Sequence, residues 1–209
     1  AFTVPVGPTE MRGGRGRGIF AMGNASPAGV VNTMEKIEIA TTGNATDFGD
    51  TTQIRMQTQG LGNATRGVFG GGLVPPNSVN TIDYTTISSG GGASEFGNLT
   101  TIRRTFVNGS SSNQVIGLFG SGYTGVNTNT IDFITFSTTG DASDFGDLWA
   151  GYDSQRDASA CASSTRAVWA GGIGNDPGAI ASSDMFYSNF ASKGDALQFA
   201  TLTVNRFGL

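Results

Sequence analysis

Short apolar runs alternate with polar ones along the whole chain, each too brief for a helix and each closed by glycine, asparagine or a Ser/Thr cluster. Asn80-Thr-Ile-Asp-Tyr-Thr-Thr-Ile is typical. Its β-branched and aromatic residues in period-two alternation predict a half-buried strand. No stretch of ten or more residues places apolar positions at helical spacing. The segment Ala158 to Ala162 is the one to test, and its serine-rich setting matches the small-residue strands elsewhere. The pattern predicts an all-β chain of many short strands.

The strands recur in register. Arg17-Gly-Ile-Phe-Ala-Met-Gly, Arg66-Gly-Val-Phe-Gly-Gly-Gly, Gly117-Leu-Phe-Gly-Ser-Gly and Arg166-Ala-Val-Trp-Ala-Gly-Gly align Phe20, Phe69, Phe119 and Trp169. A second element carries Glu35, Asp83 and Asp132, with Asp184 in a weaker Ser-Ser-Asp version. A third, Asp-Phe-Gly-Asp and its variants, carries Phe48, Phe96, Phe145 and Phe199. All three landmarks return at intervals of 48 to 54 residues, so the chain contains four copies of one unit.

In copy two the strands are expected at about 57–64, 67–71, 80–87 and 96–102. Four-stranded units with a period near 50 predict a four-bladed, kelch-like β-propeller, because one blade cannot bury both its faces and must pack on the next. The eight aromatic landmarks are then expected between blades, as core. Arg55 precedes Phe69 by 14 residues and Arg104 precedes Phe119 by 15, whereas Arg206 is followed only by Phe207, Gly208 and Leu209. Residues 9–16 are therefore expected to complete the last blade, closing the ring by pairing N- and C-terminal segments. An open or intermolecular assembly is the competing form. This gives one domain over 9–209 and an N-terminal arm over 1–8, in which Pro5 and Pro8 limit regular pairing.

Composition narrows the chemistry. With no His and one Cys among 209 residues, Ser-His-Asp and Cys-His catalysis, His-containing zinc sites and an internal disulfide are excluded. Twelve basic residues against sixteen acidic ones, a net charge of -4, argue against nucleic-acid binding despite the local cluster Arg12, Arg15 and Arg17. No apolar window is long enough for a membrane helix, and no signal peptide is expected at the start. The Asn-x-Ser/Thr sites at Asn24, Asn44, Asn63, Asn98 and Asn108 read as products of repeated Asn/Thr-rich turns.

Thr65-Arg-Gly-Val-Phe-Gly-Gly-Gly, Asn80-Thr-Ile-Asp-Tyr, Thr41-Thr-Gly-Asn-Ala-Thr-Asp-Phe-Gly-Asp and Ala160-Cys-Ala-Ser-Ser-Thr-Arg together resemble the kelch-like repeats of structural proteins from marine and cyanobacterial tailed phages. The resemblance covers the chain beyond residue 8. It implies a non-enzymatic propeller that scaffolds or binds, in a virion or otherwise extracellular or surface-exposed. Other virion proteins or copies of itself are the expected partners, and a host-surface glycan is the alternative.

Recognition is expected where the copies differ. Trp149, Tyr152 and Tyr123 are amphipathic aromatics at non-repeated positions, and the loop 73–79 presents Pro75 and Pro76. Glu35, Asp83, Asp132 and Asp184 offer a ring of carboxylates with a weak prospect of structural Ca2+, against a stronger reading as local hydrogen-bond acceptors; no other cofactor is expected. The same carboxylates in every copy speak for structure rather than glycosidase chemistry. Arg17, Arg66 and Arg166 are expected to pair with carboxylates or carbonyls at blade edges, and Cys161 to be a buried, inert thiol.

Overall fold

A computed structural model of the chain describes residues 16–148, 156–174 and 181–208. Among these residues there is no helix, and the strands form small antiparallel sheets. Sheet one is β1 (Arg17–Ala25), β2 (Gly29–Glu38) and β3 (Thr46–Asp50). Sheet two is β4 (Gln59–Gly62), β5 (Arg66–Gly70), β8 (Thr81–Thr86) and β9 (Ser94–Asn98), with a side hairpin of β6 (Leu73–Val74) and β7 (Asn77–Ser78). Sheet three is β10 (Ser110–Ser112), β11 (Ile116–Tyr123), β12 (Asn127–Thr135) and β13 (Ser143–Asp147). Sheet four is β14 (Ser159–Ala162), β15 (Arg166–Ala170), β16 (Asp184–Asn189) and β17 (Leu197–Thr201). The segment around Ala160 is thus a strand, as its setting predicts.

Local chemistry explains the repetition. Between the first two strands of sheet two, Asn63 Oδ1 accepts from the backbone N–H of Thr65 and Arg66, a self-made turn. Asn113 does the same for Val115 and Ile116, and the Ser163 hydroxyl for Thr165 and Arg166. The last strand of every sheet joins its neighbour through a bulge at the same place, shown by Met34↔Gly49 followed by Glu35↔Asp47 and repeated at Ile82/Asp83, Ile131/Asp132 and Met185/Phe186.

Successive sheets interlock by the same contacts. A methyl group on Gly70 would lie 2.7 Å from the Phe119 ring, and one on Gly120 would lie 2.6 Å from Trp169 Nε1. The small residue beside each aromatic is therefore the socket for the next copy's aromatic. At the other end of the joint, the loop after the third strand docks backbone to backbone: Gly140 N–H donates to Phe96 O at 2.7 Å and Gly194 N–H to Phe145 O at 2.8 Å. Glycine is required there because a Cβ at Gly97 would sit 2.2 Å from Gly140 O. Val68, Ile82, Phe96, Leu99, Phe119 and Phe136 form one such inter-sheet core, and Leu118, Ile131, Phe145 and Trp169 anchor the next.

Six of the eight aromatic landmarks lie in these cores: Phe48, Phe96, Phe145, Phe69, Phe119 and Trp169 are all buried. The other two depart from expectation. Phe20 is 60 % exposed and Phe199 49 % exposed. Among the described residues no core cluster and no backbone hydrogen bond joins the fourth sheet to the first. Residues 1–8, and the expected closing strand 9–16 apart from Gly16, lie outside the described residues.

Candidate functional site

The strongest polar constellation lies in the joints. Arg55 and Arg103 sit in the linkers between sheets, and their backbones are clamped on the sheet just completed: Gly23 N–H donates to Arg55 O and Gly72 N–H to Arg103 O. Their side chains reach the next sheet. Arg55 Nη2 donates to Asp83 Oδ2 at 2.7 Å with both side chains fully buried, and Arg55 Nη1 donates to the carbonyls of Gly71 and Thr81. Arg103 Nη1 pairs with Asp132 Oδ2 at 3.1 Å, and its Nη2 donates to Phe119 O. Thr52 and Thr100 complete each acid with their hydroxyls and backbone N–H groups.

Burial lowers both guanidinium pKa values from their ordinary value, and the facing carboxylate opposes that shift. Each pair is thus a desolvated ion pair kept whole by carbonyl and hydroxyl partners. The counterpart of Arg55 is Arg103, not Arg104 as the spacing suggested, because the side chain buried on Asp132 defines the position. Asp184 is likewise not the fourth acid. Phe186 stands opposite Trp169 as Asp83 stands opposite Phe69, so Asp184 occupies the place of Thr81 and takes the Ser182 hydroxyl. Asp83 and Asp132 are each neutralised in their own joint, and no three His, Cys, Asp or Glu residues come together among the described residues.

Two of the three edge arginines reach carboxylates or carbonyls as expected, and Arg166 instead donates to Asn189 Oδ1 of its own sheet. Arg17 donates to Ile87 O and Ser88 O of sheet two and to Glu38, and Arg66 donates to Phe136 O of sheet three while lying 4.6 Å from the Tyr84 ring centroid. Cys161, expected to be buried, is exposed, because among the described residues no later sheet packs on β14 as β10 and β11 pack on β4.

Two of the expected recognition elements do come together. Pro75 and Pro76 form the exposed tip of the β6–β7 hairpin, a regular element where a plain loop was expected. Ser78 at the hairpin base accepts from Arg104 Nη1, and Arg104 exchanges backbone hydrogen bonds with Tyr123. The Tyr123 ring is flanked by two guanidinium groups, Arg104 at 5.2 Å and Arg156 at 5.0 Å. Sequence reasoning named Tyr123 but missed both arginines, which lie far from it in the chain. Trp149 and Tyr152 lie outside the described residues. By count they stand at the Thr52 and Arg55 positions of the third linker.

A concavity of about 320 Å³ opens on the first sheet between Phe20, Met22, Val31, Thr33 and Glu35. Comparison with protein-family models and with curated proteins gave no match for the chain.

Proposed function

We propose that the chain is a non-enzymatic, rigid protein-interaction module of kelch-like β-propeller type, of the sort its repeats resemble in tailed-phage virions or appendages. The observation that carries this reading is the use of its charged groups. The best-formed clusters, Arg55–Asp83 and Arg103–Asp132, are spent inside joints, with their side chains at most 2 % exposed. The surface keeps apolar and aromatic groups instead: Ile54, Ile102, Phe106 and Val126 are exposed on linkers and loops. Such residues on a stiff β-scaffold favour a partner surface over catalysis. Three of the sheets have four strands in sequential antiparallel order and the first has three among the described residues, an order that favours a blade reading, in which the remaining joint, between fourth and first, completes the assembly.

The alternative is a carbohydrate-binding adhesion module, favoured by Tyr123 between Arg104 and Arg156 beside the Pro75-Pro76 hairpin, an aromatic platform with a polar rim. Immunogold labelling of purified particles with an antibody against the chain tests the first reading. Regular decoration at one site on the particle is the expected result. Unlabelled particles, with binding of the chain on a glycan array lost in Tyr123→Ala, would replace it by the second.

A further inference from the structure

Each internal joint is made by two faces, and among the described residues one copy of each is left without a partner face. On the outgoing face of the fourth sheet, Arg206 is already mounted like Arg55 and Arg103. Gly172 N–H donates to Arg206 O at 3.0 Å, and Leu202 N–H donates to Ser183 O as Leu99 N–H does to Asn80 O. Thr203 stands at the Thr52 and Thr100 position. Yet the Arg206 side chain is exposed, and its contact is a 3.4 Å hydrogen bond to Val204 O. Arg166, the counterpart of Arg17 and Arg66, binds Asn189 of its own sheet and lies over the Tyr187 ring. Ala170 occupies the socket position of Gly70 and Gly120.

The incoming face of the first sheet supplies every missing complement. Glu35 stands opposite Phe20 as Asp83 stands opposite Phe69 and Asp132 opposite Phe119, and it is exposed in the 320 Å³ concavity. Phe20 is the knob without a socket. Ile39 is 65 % exposed, whereas its counterparts Ile87, Phe136 and Phe190 are buried under the preceding sheet.

We propose that these two faces are the halves of a fourth joint made head to tail between two copies of this chain. Arg206 and Thr203 of one copy bind Glu35 of the second, Phe20 of the second enters the socket at Ala170, and Arg166 reaches the Ile39 carbonyl. The occupant is a second copy because charge and shape are complementary, and because among the described residues nothing covers either face while the three internal joints are made. A heterologous joint of this kind builds rings or open filaments according to its rotation.

One residue sets the joint's strength. Gly49, Gly97 and Gly146 have left-handed φ values, and a Cβ on them would lie 2.6, 2.2 and 2.4 Å from the docking loop of the next sheet. The fourth sheet has Ala200 there, with Met185↔Ala200 in the register of Met34↔Gly49. Its methyl group keeps the Gly43 loop of the second copy from docking backbone to backbone. The fourth joint is therefore weaker than the other three and reversible.

The inference rests on the interaction-module reading. Its test uses the purified 209-residue chain alone, so it fails or stands separately from particle labelling. Sedimentation velocity over a concentration series is expected to show self-association that Glu35→Arg and Arg206→Glu each weaken at least about tenfold. An equimolar mixture of the two variants restores it, since Arg206 of the first meets Glu35 of the second. Ala200→Gly is expected to tighten association severalfold. Both charged residues are exposed, and circular dichroism checks that the variants fold. Labelling of Cys161 gives a second readout, because its counterpart Leu61 packs at Gly117 of the next sheet. Its rate is expected to fall as concentration rises. A chain that stays monomeric throughout, an association indifferent to both charge reversals, or a concentration-independent labelling rate that Glu35→Arg accelerates would overturn the proposal, the last by showing closure within one chain.

Discussion

Arg103, from the linker after sheet two, and Asp132, from β12 of sheet three, meet at 3.1 Å in a joint where neither side chain is more than 2 % exposed. A buried pair of this kind holds register more than it adds net stability, since desolvation consumes most of the attraction. Arg103→Met strands the Asp132 carboxylate and is expected to cost about 3–5 kcal/mol. Arg103→Met with Asp132→Leu is expected to recover most of that loss. Urea denaturation of the two variants checks the difference. At the third joint Phe186 stands opposite Trp169, where the first two joints place Asp83 and Asp132 opposite Phe69 and Phe119.

Close backbone docking predicts a sharp contrast between glycines. Gly97→Ala puts a methyl group against Gly140 O at 2.2 Å and forces a left-handed φ of 155° on alanine. A loss of about 1–3 kcal/mol is expected. Gly43→Ala meets nothing within 4 Å and is expected to be nearly neutral. Thermal unfolding of the two variants measures the contrast.

Trp169 is fully buried and its Nε1 donates to Gly109 O at 2.8 Å across the third joint. Trp169→Phe keeps an aromatic knob and removes the donor, so a loss of about 1–3 kcal/mol is expected from the unpaired carbonyl. Denaturant titration measures it. In the wild-type protein, the fluorescence of this indole is expected to be inaccessible to acrylamide until the joint opens.

The joint between sheets three and four also contains a pH-dependent element. Burial, then Asp195 and Asp144, push the Asp147 carboxyl above its ordinary range. A carboxyl raised in the folded state favours folding while protonated, and that contribution is lost as pH rises from the ordinary carboxylate value through the raised one. Asp147→Asn removes the repulsion, so its stability is expected to exceed wild type at neutral pH and converge with it in acid. Equilibrium unfolding across the acid range reads both limits.

The period, the strand composition and the aromatic landmarks were legible in the sequence because each joint imposes the same demands on its residues. What stayed hidden required the register. An insertion before β16 shifts the fourth copy, so spacing pointed to Asp184, while pairing with Trp169 selects Phe186. Two consecutive arginines gave no basis for preferring Arg103 to Arg104 until burial separated them. The cation cluster around Tyr123 joins residues far apart in the chain, and the Pro75-Pro76 segment folds as a hairpin because Val74 and Asn77 pair across it. Exposure of Phe20 and Phe199 could not be read from residues that match their buried counterparts. It depends on which sheets have neighbours.

The central claim is that one joint recurs between sheets and that its fourth instance joins two copies. The most direct measurement replaces Phe20 by p-benzoylphenylalanine and irradiates an equal mixture of isotopically light and heavy chains. The account predicts cross-linked peptides containing Ala170, with light–heavy pairs among them. Cross-links confined to pairs within one isotope, or directed to another part of the chain, would contradict it.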